Sequence, residues 1–360
     1  MYRCSSCERE YPQTVGAPWR CECGRALEFA HPPRPAGTSP PTTLDRGRGL
    51  WAFEPFLPVE RRVTLGEGWT PLVDAPEWDA QFKLEFLFPT GSFKDRGAAT
   101  VVSHACSLDA DRLLEDSSGN AGHAIATYAA RAGIDATVYV PADAKSAKLR
   151  AIERTGVDVV RVKGDRGAVT DACVAAVEQG EGWYASHAWH PAFFAGTATV
   201  AMEIAAQRNW TVPDAVVTPL GHGTLLLGAY RGFRALREAG WTDDVPRLVG
   251  VQAAGTAPIV EARHGAPAAT GSNDAADGVQ IRNPARREQI LAAIEETRGE
   301  AVAVDRDATE ATLDRLHRAG FYVEPTCAVA PAALPDLRDG GVIEPGDDVV
   351  VALTGSGLKS

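Results

Sequence analysis

From about residue 80 onward, two kinds of hydrophobic pattern alternate along the chain. Short apolar runs rich in β-branched residues predict strands that are buried on both faces. These runs are Phe82–Phe86, Arg112–Glu115, Ala136–Val140, Asp158–Val162, Ala215–Thr218, Leu248–Gln252, Ala301–Val304 and Asp348–Leu353. Between them, alanine-rich stretches carry apolar residues at the spacing of amphipathic helices. The clearest of these stretches are Ala121–Ala132, Lys145–Thr155, Gly223–Glu238 and Ala308–Arg318.

Glycines follow the helical stretches at positions 133, 156, 240 and 320, where a chain often leaves a helix. Strands that alternate with helices in this way predict an α/β fold, with helices on both faces of parallel sheets. In such sheets, ligands bind beyond the C-terminal ends of the strands. We therefore expect the reactive residues in the loops that follow predicted strands.

Composition limits the class of partner. Hydrophobic residues make up 45% and charged residues 23% of the 360 residues, as in an ordinary soluble enzyme. The net charge of −11 leaves no overall positive field that could hold nucleic acid. The N-terminus is polar, and no apolar run approaches the length of a membrane span. We expect a cytoplasmic enzyme that acts on a small molecule, with neither nucleic acid nor membrane as partner.

Four of the seven cysteines lie in the first 23 residues, as Cys4-x-x-Cys7 and Cys21-x-Cys23. Two close cysteine pairs separated by a loop can bring four thiolates around a tetrahedral zinc ion. We predict a structural zinc site; the alternative is a small flap of reduced cysteines without metal. Residues 1–30 contain four arginines and four glutamates, so this segment lacks the basic excess of a phosphate-binding ribbon.

The stretch "PTGSFKDRGAAT" (89–100) places Lys94 where a turn runs into a series of helix formers. The partial positive charge of a helix start disfavours an ammonium group and lowers the pKa of a lysine there. Such an amine is suited to act as a nucleophile. Taken alone, the stretch is more typical of a solvated Lys-Asp-Arg turn.

A second loop, "EDSSGN" (115–120), joins a predicted strand to a predicted helix. Backbone N–H groups at that helix start would suit a carboxylate, although a plain N-cap is the simpler interpretation of this loop alone. A third, "PLGHGT" (219–224), has two glycines before a leucine-rich helix, which favours a phosphate cradle or merely a glycine-rich helix start. It is neither a dinucleotide fingerprint nor a Walker loop.

A fourth loop ends the last predicted strand with "TGSG" (354–357), where the hydroxyl of Thr354 could bond to a ring nitrogen. Alone, this is a C-terminal strand with a polar tail. Together the four loops supply an amine, a carboxylate site, a phosphate site and a hydroxyl at one edge of a sheet. Pyridoxal phosphate, which forms a Schiff base with lysine and reacts with amino acids, requires such a set.

The motifs "GWTPL", "PTGSFKDRG", "EDSSGNAG", "PLGHGTLLLG" and "TGSGLK" resemble the threonine synthase family, among the fold-type II pyridoxal-phosphate enzymes. The resemblance covers nearly the whole chain, and cysteine-rich N-terminal segments also occur in that family. It implies a homodimer with two parallel-sheet α/β domains behind a zinc-ribbon-like segment. The division we expect is a ribbon at 1–30, a proline-rich linker at 31–60, a large cofactor-binding domain at 61–100 and 200–360, and a small domain at 101–199.

The resemblance also implies roles for individual residues. Lys94 would carry the cofactor and later move protons. The cofactor would contact Lys94, Asn120, Gly221, His222, Gly223, Thr224 and Thr354. The substrate carboxylate would be bound by Ser117, Ser118, Gly119 and Ala121. The implied reaction converts O-phospho-L-homoserine and water into L-threonine and phosphate.

Two segments depart from the family pattern. Many threonine synthases have Asn-Pro-x-Arg and Gly-Gln-Lys-Thr where this chain reads "SHAWHPAFFAGTAT" (186–199), which contains neither arginine nor lysine. In addition, "SSGNAG" replaces the more familiar "STGNT". The cation for the substrate's phosphate would therefore come from elsewhere, and the sequence does not choose among Lys145, Lys148, Arg150 and Arg161.

Two alternatives to a threonine synthase stay open. One is another fold-type II lyase or synthase, such as a serine/threonine dehydratase or a cysteate-synthase-like β-replacement enzyme. The other is a zinc-ribbon binding or regulatory protein whose α/β body no longer catalyses a reaction. The presence of Lys94, Asn120 and Thr354 weighs against the second alternative.

Overall fold

A computed structural model describes residues 1–34, 38–144 and 146–359, with side chains except at 146–148. Lys145 and the side chain of Lys148, two of the candidate cations, therefore lie outside the described residues. Within the described part of the chain, no helix combines the length and apolar character needed to cross a bilayer.

Six strands form the larger sheet. They are β4 (Leu72–Ala75), β5 (Ala80–Lys83), β10 (Ala215–Pro219), β11 (Arg247–Ala253), β12 (Glu300–Val304) and β13 (Val349–Ala352). Their order across the sheet is β12-β11-β10-β13-β5-β4. All neighbouring pairs are parallel except β4 and β5, so the antiparallel strand lies at one edge.

Two smaller sheets complete the strand structure. The first contains β6 (Arg112–Glu115), β7 (Asp135–Pro141), β8 (Asp158–Val162) and β9 (Trp183–Tyr184). All of its pairings are parallel, in the order β8-β7-β6-β9. The second is an antiparallel ribbon of β1 (Tyr2–Cys4), β2 (Glu10–Tyr11) and β3 (Leu27–Phe29), with β1 in the centre. The predicted α/β fold with two parallel sheets is confirmed, whereas the domain boundaries stay a prediction.

Helices connect the parallel strands. They are α1 (Lys94–Ser107), α2 (Asn120–Ala132), α3 (Ser146–Glu153), α4 (Arg166–Glu178), α5 (Pro191–Gln207), α6 (Thr224–Glu238), α7 (Pro258–His264), α8 (Arg287–Glu296), α9 (Arg306–Arg318), α10 (Pro325–Ala332) and α11 (Leu334–Asp339). Gly133 follows α2 in the left-handed conformation (φ 71°) that ends many helices. Asp165 caps α4, because its side chain accepts a hydrogen bond from the backbone N–H of Ala168 at 3.0 Å.

The larger sheet is buried on both faces, as its continuous apolar strands require. Val350 packs in a cluster with residues of α5 and α6, whereas its neighbours Val349 and Val351 pack in a second cluster with residues of α10. Each fully buried valine contributes about 1.5–3 kcal/mol relative to an exposed one. Alternate residues of one strand thus stabilise two helical layers and fix its register.

Helices α1 and α5 approach each other closely because glycine occupies the contact. A Cβ at Gly196 would lie 2.0 Å from the backbone oxygen of Arg96, and one at Gly97 would lie 2.3 Å from the ring of Phe193. Any larger residue at either position would push α1 away from α5. Since Lys94 begins α1, this packing helps to fix the position of its backbone.

Two segments contain more structure than their sequences indicate. Residues 46–56, within the predicted linker, form helical turns that bury Trp51 completely, and its indole N–H donates to Glu67 at 2.9 Å. Residues 255–285, whose sequence resembles a long loop, contain α7 and buried Ile259 and Val260. The helical pieces themselves, Arg46–Phe56 and Pro258–His264, are too short to show a clear helical period.

The N-terminal ribbon packs against the α/β body through buried polar contacts. The hydroxyl of Tyr2 lies 2.5 Å from Nε2 of His104 and 3.3 Å from Nε2 of His190. On the neighbouring strand β3, Glu28 is ion-paired with Arg231 at 2.7 Å and also with Arg286. Two adjacent strands of the ribbon therefore hold it to the body.

Candidate active site

The loops that follow strands of both parallel sheets surround one cavity of about 320 Å³. The smaller sheet contributes residues from the loops after all four of its strands. The larger sheet contributes residues that follow β5, β10 and β13, among others. All the residues that the sequence assigned to cofactor or substrate line this cavity: Lys94, Ser117, Ser118, Gly119, Asn120, Ala121, Gly221, His222, Gly223, Thr224 and Thr354.

Lys94 is the first residue of α1, and its amine points towards the loop between β10 and α6. Nζ of Lys94 donates a hydrogen bond to Oγ1 of Thr224 at 3.1 Å and lies 4.4 Å from the centre of the Phe93 ring. Burial lowers the pKa of Lys94 from 10.5 to about 8, against the opposing charges of Glu115 and Glu324. This change increases the neutral, nucleophilic fraction at pH 7 by roughly 300-fold.

The two residues after Lys94 are fully buried, so they are not the surface charges of a solvated turn. Arg96 pairs with Glu85 at 2.7 Å and with Glu203 at 2.5 Å, and Glu203 also pairs with Lys83 at 2.8 Å. Two cations and two carboxylates thus neutralise each other away from water. Because this cluster fixes the first turn of α1, it positions the backbone that carries Lys94.

Asp95 caps the turn before α1. Its carboxyl group accepts hydrogen bonds from the backbone N–H of Thr90 at 2.9 Å and from the Thr90 hydroxyl. Burial raises the pKa of Asp95 to about 7, although these hydrogen bonds act in the opposite direction. The Thr-Gly-Ser turn and α1 are therefore joined through one buried side chain.

The loop before α2 approaches the helix so closely that only glycine fits at position 122. A Cβ there would lie 1.8 Å from the backbone oxygen of Ser117. The Ser117 hydroxyl accepts a hydrogen bond from the N–H of Gly119 at 3.2 Å, which shapes the turn. The start of α2 therefore faces the cavity with backbone N–H groups, as a carboxylate site requires.

Asn120 is held from two sides. Its amide nitrogen donates to Oε1 of Glu324 at 2.9 Å, and its amide oxygen accepts from Nζ of Lys359 at 2.8 Å. Glu324 lies in the segment just before α10 and also lines the cavity. The sequence assigns no role to Glu324; it predicts that Glu324-Pro325-Thr326 follows a strand and faces this edge. In the structure the preceding element is the helix α9.

The Gly221–Thr224 loop leads directly into α6. Gly223 has a φ of 76°, and a Cβ there would lie 2.6 Å from Ile290. Nδ1 of His222 is buried and has no hydrogen-bond partner among the described residues. Burial holds the pKa of His222 well below its usual range, so the ring is neutral at physiological pH.

Thr354, only 4% exposed, lies beside a buried thiol at the end of β13. Sγ of Cys327 is 3.4 Å from the Thr354 hydroxyl and accepts hydrogen bonds from the backbone N–H groups of Thr354 and Gly355, at 3.1 and 2.9 Å. Burial raises the pKa of Cys327 to about 12. The Thr354 hydroxyl and the Cys327 thiol are therefore both neutral, and the nearest charged group on this wall is the carboxylate of Glu324 beside Gly355.

Three further residues of the site were not found from the sequence. His187 and Arg166 line the cavity from the loops after β9 and β8, and Glu115 lies behind His187 at the end of β6. Among the described residues that line the cavity, Lys94 and Arg166 are the cations. Arg150 and Arg161, two of the sequence candidates for the missing cation, do not line it, and Arg161 instead pairs with Glu153 at 3.3 Å.

The four N-terminal cysteines converge as the spacing predicts. The sulfurs of Cys4, Cys7, Cys21 and Cys23 all lie within 4.8 Å of one another. The Cys4–Cys23 and Cys7–Cys21 sulfur distances are 3.5 and 3.4 Å. Sulfurs around a tetrahedral zinc ion would be about 3.8 Å apart, so the cluster has the size of a zinc site. Zinc itself stays a prediction.

Comparison with known proteins agrees with this geometry. A sequence model of the family described as "Pyridoxal-phosphate dependent enzyme" matches residues 63–355. The chain belongs to this family. Threonine synthase from Methanosarcina acetivorans is 35% identical, over 86% of this chain and 80% of that protein. Threonine synthase from Methanocaldococcus jannaschii is 32% identical over 100% and 93%. The resemblance seen in the sequence is thereby confirmed.

Solved structures share the fold. A pyridoxal 5'-phosphate-dependent aspartate racemase has a TM-score of 0.67 at 24% identity, covering 80% of this chain and 90% of the racemase. A threonine deaminase has a TM-score of 0.64 at 26% identity, with 80% and 92% coverage. Both likenesses support a fold-type II arrangement. The fold is therefore shared by enzymes with different reactions, here a racemase and a deaminase.

The residues of the cavity fit pyridoxal phosphate. Lys94 supplies an amine with a lowered pKa, and the glycines around His222 leave the start of α6 open to a phosphate. The unpartnered Nδ1 of His222 would gain a hydrogen-bond partner there. The assignments of individual residues to cofactor and substrate stay predictions.

Proposed function

We propose that this protein is a threonine synthase, which converts O-phospho-L-homoserine and water into L-threonine and phosphate. The proposal rests on the similarity to the threonine synthase of Methanocaldococcus jannaschii, which is 32% identical in an alignment that covers 100% of this chain. The cavity adds support, because an amine of lowered pKa lies between two helix starts suited to anions.

When bound at Lys94, pyridoxal phosphate supplies an electron sink for the bonds around the substrate's α-carbon. The Gly221–Thr224 loop would hold the phosphate of the cofactor at the start of α6. Asn120 would donate a hydrogen bond to the cofactor ring oxygen, which requires its amide to turn from Glu324. The Thr354 hydroxyl would face the ring nitrogen, where a neutral partner does not enforce a protonated ring.

Lys94 would act as the mobile base of the reaction. Its amine would lie within reach of the α- and β-carbons of a substrate held in the cavity. With a pKa near 8, it can accept a proton at one carbon and return it at the next. Ser117, Ser118, Gly119 and Ala121 would hold the substrate carboxylate and so fix which carbons face the amine.

Arg166 would bind the phosphate group of the substrate. It is the first residue of α4 and lines the cavity on the side of the smaller sheet, like the carboxylate site. It has no ion-pair partner within 4 Å among the described residues, so its guanidinium is available to a ligand. A guanidinium can bind a phosphate group through two parallel hydrogen bonds.

A second candidate is a dehydratase acting on serine or threonine. It is favoured by four acidic residues around the cavity, which disfavour a doubly charged phosphate: Asp116, Asp143, Asp277 and Glu324. Phosphate release from O-phosphohomoserine, measured with the purified holoenzyme, tests the leading proposal. Release of ammonia and a keto acid from threonine or serine, without turnover of the phosphorylated substrate, would support the dehydratase.

A further inference from the structure

One hydrogen bond joins a residue just before the first segment that departs from the family pattern to a residue within the second. Glu115 lies directly before the "DSSGN" loop, and His187 lies in the segment that lacks arginine and lysine. Oε1 of Glu115 and Nδ1 of His187 are 2.6 Å apart. Glu115 and His187 are thus paired in space although they are distant in the sequence. Each lies beside or within a segment that departs from the usual motifs.

His187 is placed between this carboxyl group and the cavity. Its side chain is 11% exposed and it lines the cavity, whereas Glu115 is fully buried behind it. The ring packs edge-on against His222 at 5.3 Å between centres, which limits its rotation. Since Nδ1 is occupied by Glu115, Nε2 is the ring nitrogen left for a ligand in the cavity.

The surroundings favour a neutral carboxyl group at Glu115. Its second oxygen is buried and has no hydrogen-bond partner among the described residues, which would be costly for an ionised carboxylate. Burial raises the pKa of Glu115 to about 8, whereas a hydrogen bond to the backbone of His187 and the charge of Lys94 act in the opposite direction. A neutral Glu115 donates its proton to Nδ1, so His187 presents an Nε2–H donor to the cavity.

The other charged and titratable groups around the pair agree with a neutral ring. Burial lowers the pKa of His187, and the charges of Lys94 and Arg166 lower it further, whereas Asp116 acts in the opposite direction. Neutral His222 faces the ring from the loop before α6. Asp116 is itself tied to Thr170 and Tyr184 at 2.6 and 3.0 Å, and so does not compete for Nδ1.

We propose that Glu115 and His187 form a proton relay, which protonates the leaving oxygen of the substrate and later deprotonates the attacking water. This inference rests on the proposed function, in which phosphate leaves the γ-carbon. An ester oxygen that leaves without a proton would depart as trianionic phosphate, a poor leaving group. A proton donor at that oxygen is therefore required, and Lys94 is occupied at the carbon atoms.

The relay balances over one turnover. Lys94 takes the β-proton, the electron pair of that C–H bond forms the Cβ–Cγ double bond, and the Cγ–O pair goes to the phosphate oxygen. That oxygen takes the Nε2 proton of His187 while Nδ1 takes the proton of Glu115, which is left ionised. When water adds at Cβ, Lys94 returns its proton to Cγ, where the electron pair of the double bond forms the new C–H bond. At the same time the proton of the water goes to Nε2 and the Nδ1 proton returns to Glu115. Both side chains are then restored.

The test compares Glu115→Gln and His187→Asn with the wild-type holoenzyme. A glutamine at 115 can still hydrogen-bond to Nδ1 but has no proton to give. We expect kcat for phosphate release to fall about 100-fold or more in both variants, with KM changed less than about threefold. Exchange of the α-proton of L-norvaline, which has no leaving group, should be retained because it depends on Lys94. His264→Asn is the matched control, since His264 pairs with Glu300 at 2.8 Å outside the cavity.

Each outcome either supports or overturns the relay. Unchanged kcat in Glu115→Gln, or equal loss of phosphate release and α-proton exchange, would overturn the relay while leaving the proposed function intact. If the wild type releases no phosphate, the proposed function fails, and the same variants are compared on serine or threonine, whose leaving hydroxyl also needs a proton. There too, loss of elimination with retained exchange supports the relay and unchanged elimination overturns it.

A measurement without turnover examines the same pair. Nitrogen-15 NMR of histidine-labelled holoenzyme, with His187→Asn to assign the ring, reports which nitrogen carries the proton. We expect the neutral Nε2–H form at pH 7, and a change of the protonated nitrogen as the pH rises through about 8. An imidazolium or a neutral Nδ1–H form at pH 7 would contradict the proposed direction of proton transfer.

Discussion

Replacement of Arg166 by glutamine tests how this cavity recognises a phosphorylated substrate. The change removes one positive charge at the start of α4 and keeps a side chain of similar length. A hydrogen bond to a charged group contributes about 1.5–3 kcal/mol, and each 1.4 kcal/mol corresponds to about tenfold in binding. Because Arg166 is exposed at the rim, where solvent weakens the interaction, we expect the lower part of this range. The expected loss in kcat/KM for O-phosphohomoserine is therefore roughly 10- to 30-fold.

The assay separates charge recognition from general damage. Binding of 2-amino-5-phosphonopentanoate and of L-norvaline is followed through the absorbance of the bound cofactor, since the two ligands differ in the anionic group. Arg166→Gln should lower the affinity for the phosphonate and leave the affinity for norvaline unchanged. Arg161→Gln, an identical change outside the cavity, should bind both ligands like the wild type. Two results would show that Arg166 does not recognise the anion. In the first, both variants bind the phosphonate as tightly as the wild type does; in the second, Arg166→Gln lowers the affinity for norvaline as much as the affinity for the phosphonate.

Three further predictions concern cofactor, stability and metal. Borohydride reduction of the holoenzyme followed by mass spectrometry should label Lys94 alone among the six lysines, and labelling elsewhere would refute the site assignment. Glu203→Gln leaves two buried cations with one carboxylate, so its free energy of unfolding should fall by about 3–5 kcal/mol in urea denaturation. The control Glu238→Gln, at an exposed ion pair, should change the free energy of unfolding by less than about 1 kcal/mol. If the two variants lose the same free energy of unfolding, burial does not strengthen the Glu203 ion pairs. Elemental analysis should find about one zinc ion per chain, lost in Cys7→Ser while the cofactor absorbance remains; a metal-free wild type would exclude the zinc site.

Much of the fold could be predicted because the pattern of strands and helices is strong in the body of the chain. The strands Arg112–Glu115 and Asp158–Val162 have the predicted bounds, and most other predicted strands differ by one or two residues. Strand β9 was missed because a two-residue strand has no period. Residues 46–56 were assigned to a linker because prolines precede them, yet Trp51 and its neighbours are buried by contacts distant in sequence.

The cofactor side of the cavity was more predictable than the substrate side for a physical reason. A phosphate cradle or a helix start is built from consecutive backbone groups, so glycines and hydroxyls next to one another reveal it. Glu115 and His187 are separated by 72 residues. Although Glu115 begins the "EDSSGNAG" motif, nothing in the sequence pairs it with His187. Arg166 follows a strand and a polar turn that occur in many surface loops.

This difference between the two sides explains why the reaction class and the substrate are not equally determined. Every reaction of the family needs an amine and a phosphate site. Lys94 at the start of α1 supplies the amine, and the loop after β10 in the larger sheet would supply the phosphate site. The smaller sheet contributes the predicted carboxylate site together with Arg166 and His187, which line the cavity, and Glu115, which is hydrogen-bonded to His187 from behind. Under the proposed function, changes in these loops would alter the leaving group without disturbing the cofactor. The choice between a phosphate and a hydroxyl leaving group would then depend on the cation Arg166, because the proposed Glu115–His187 relay could protonate either leaving oxygen.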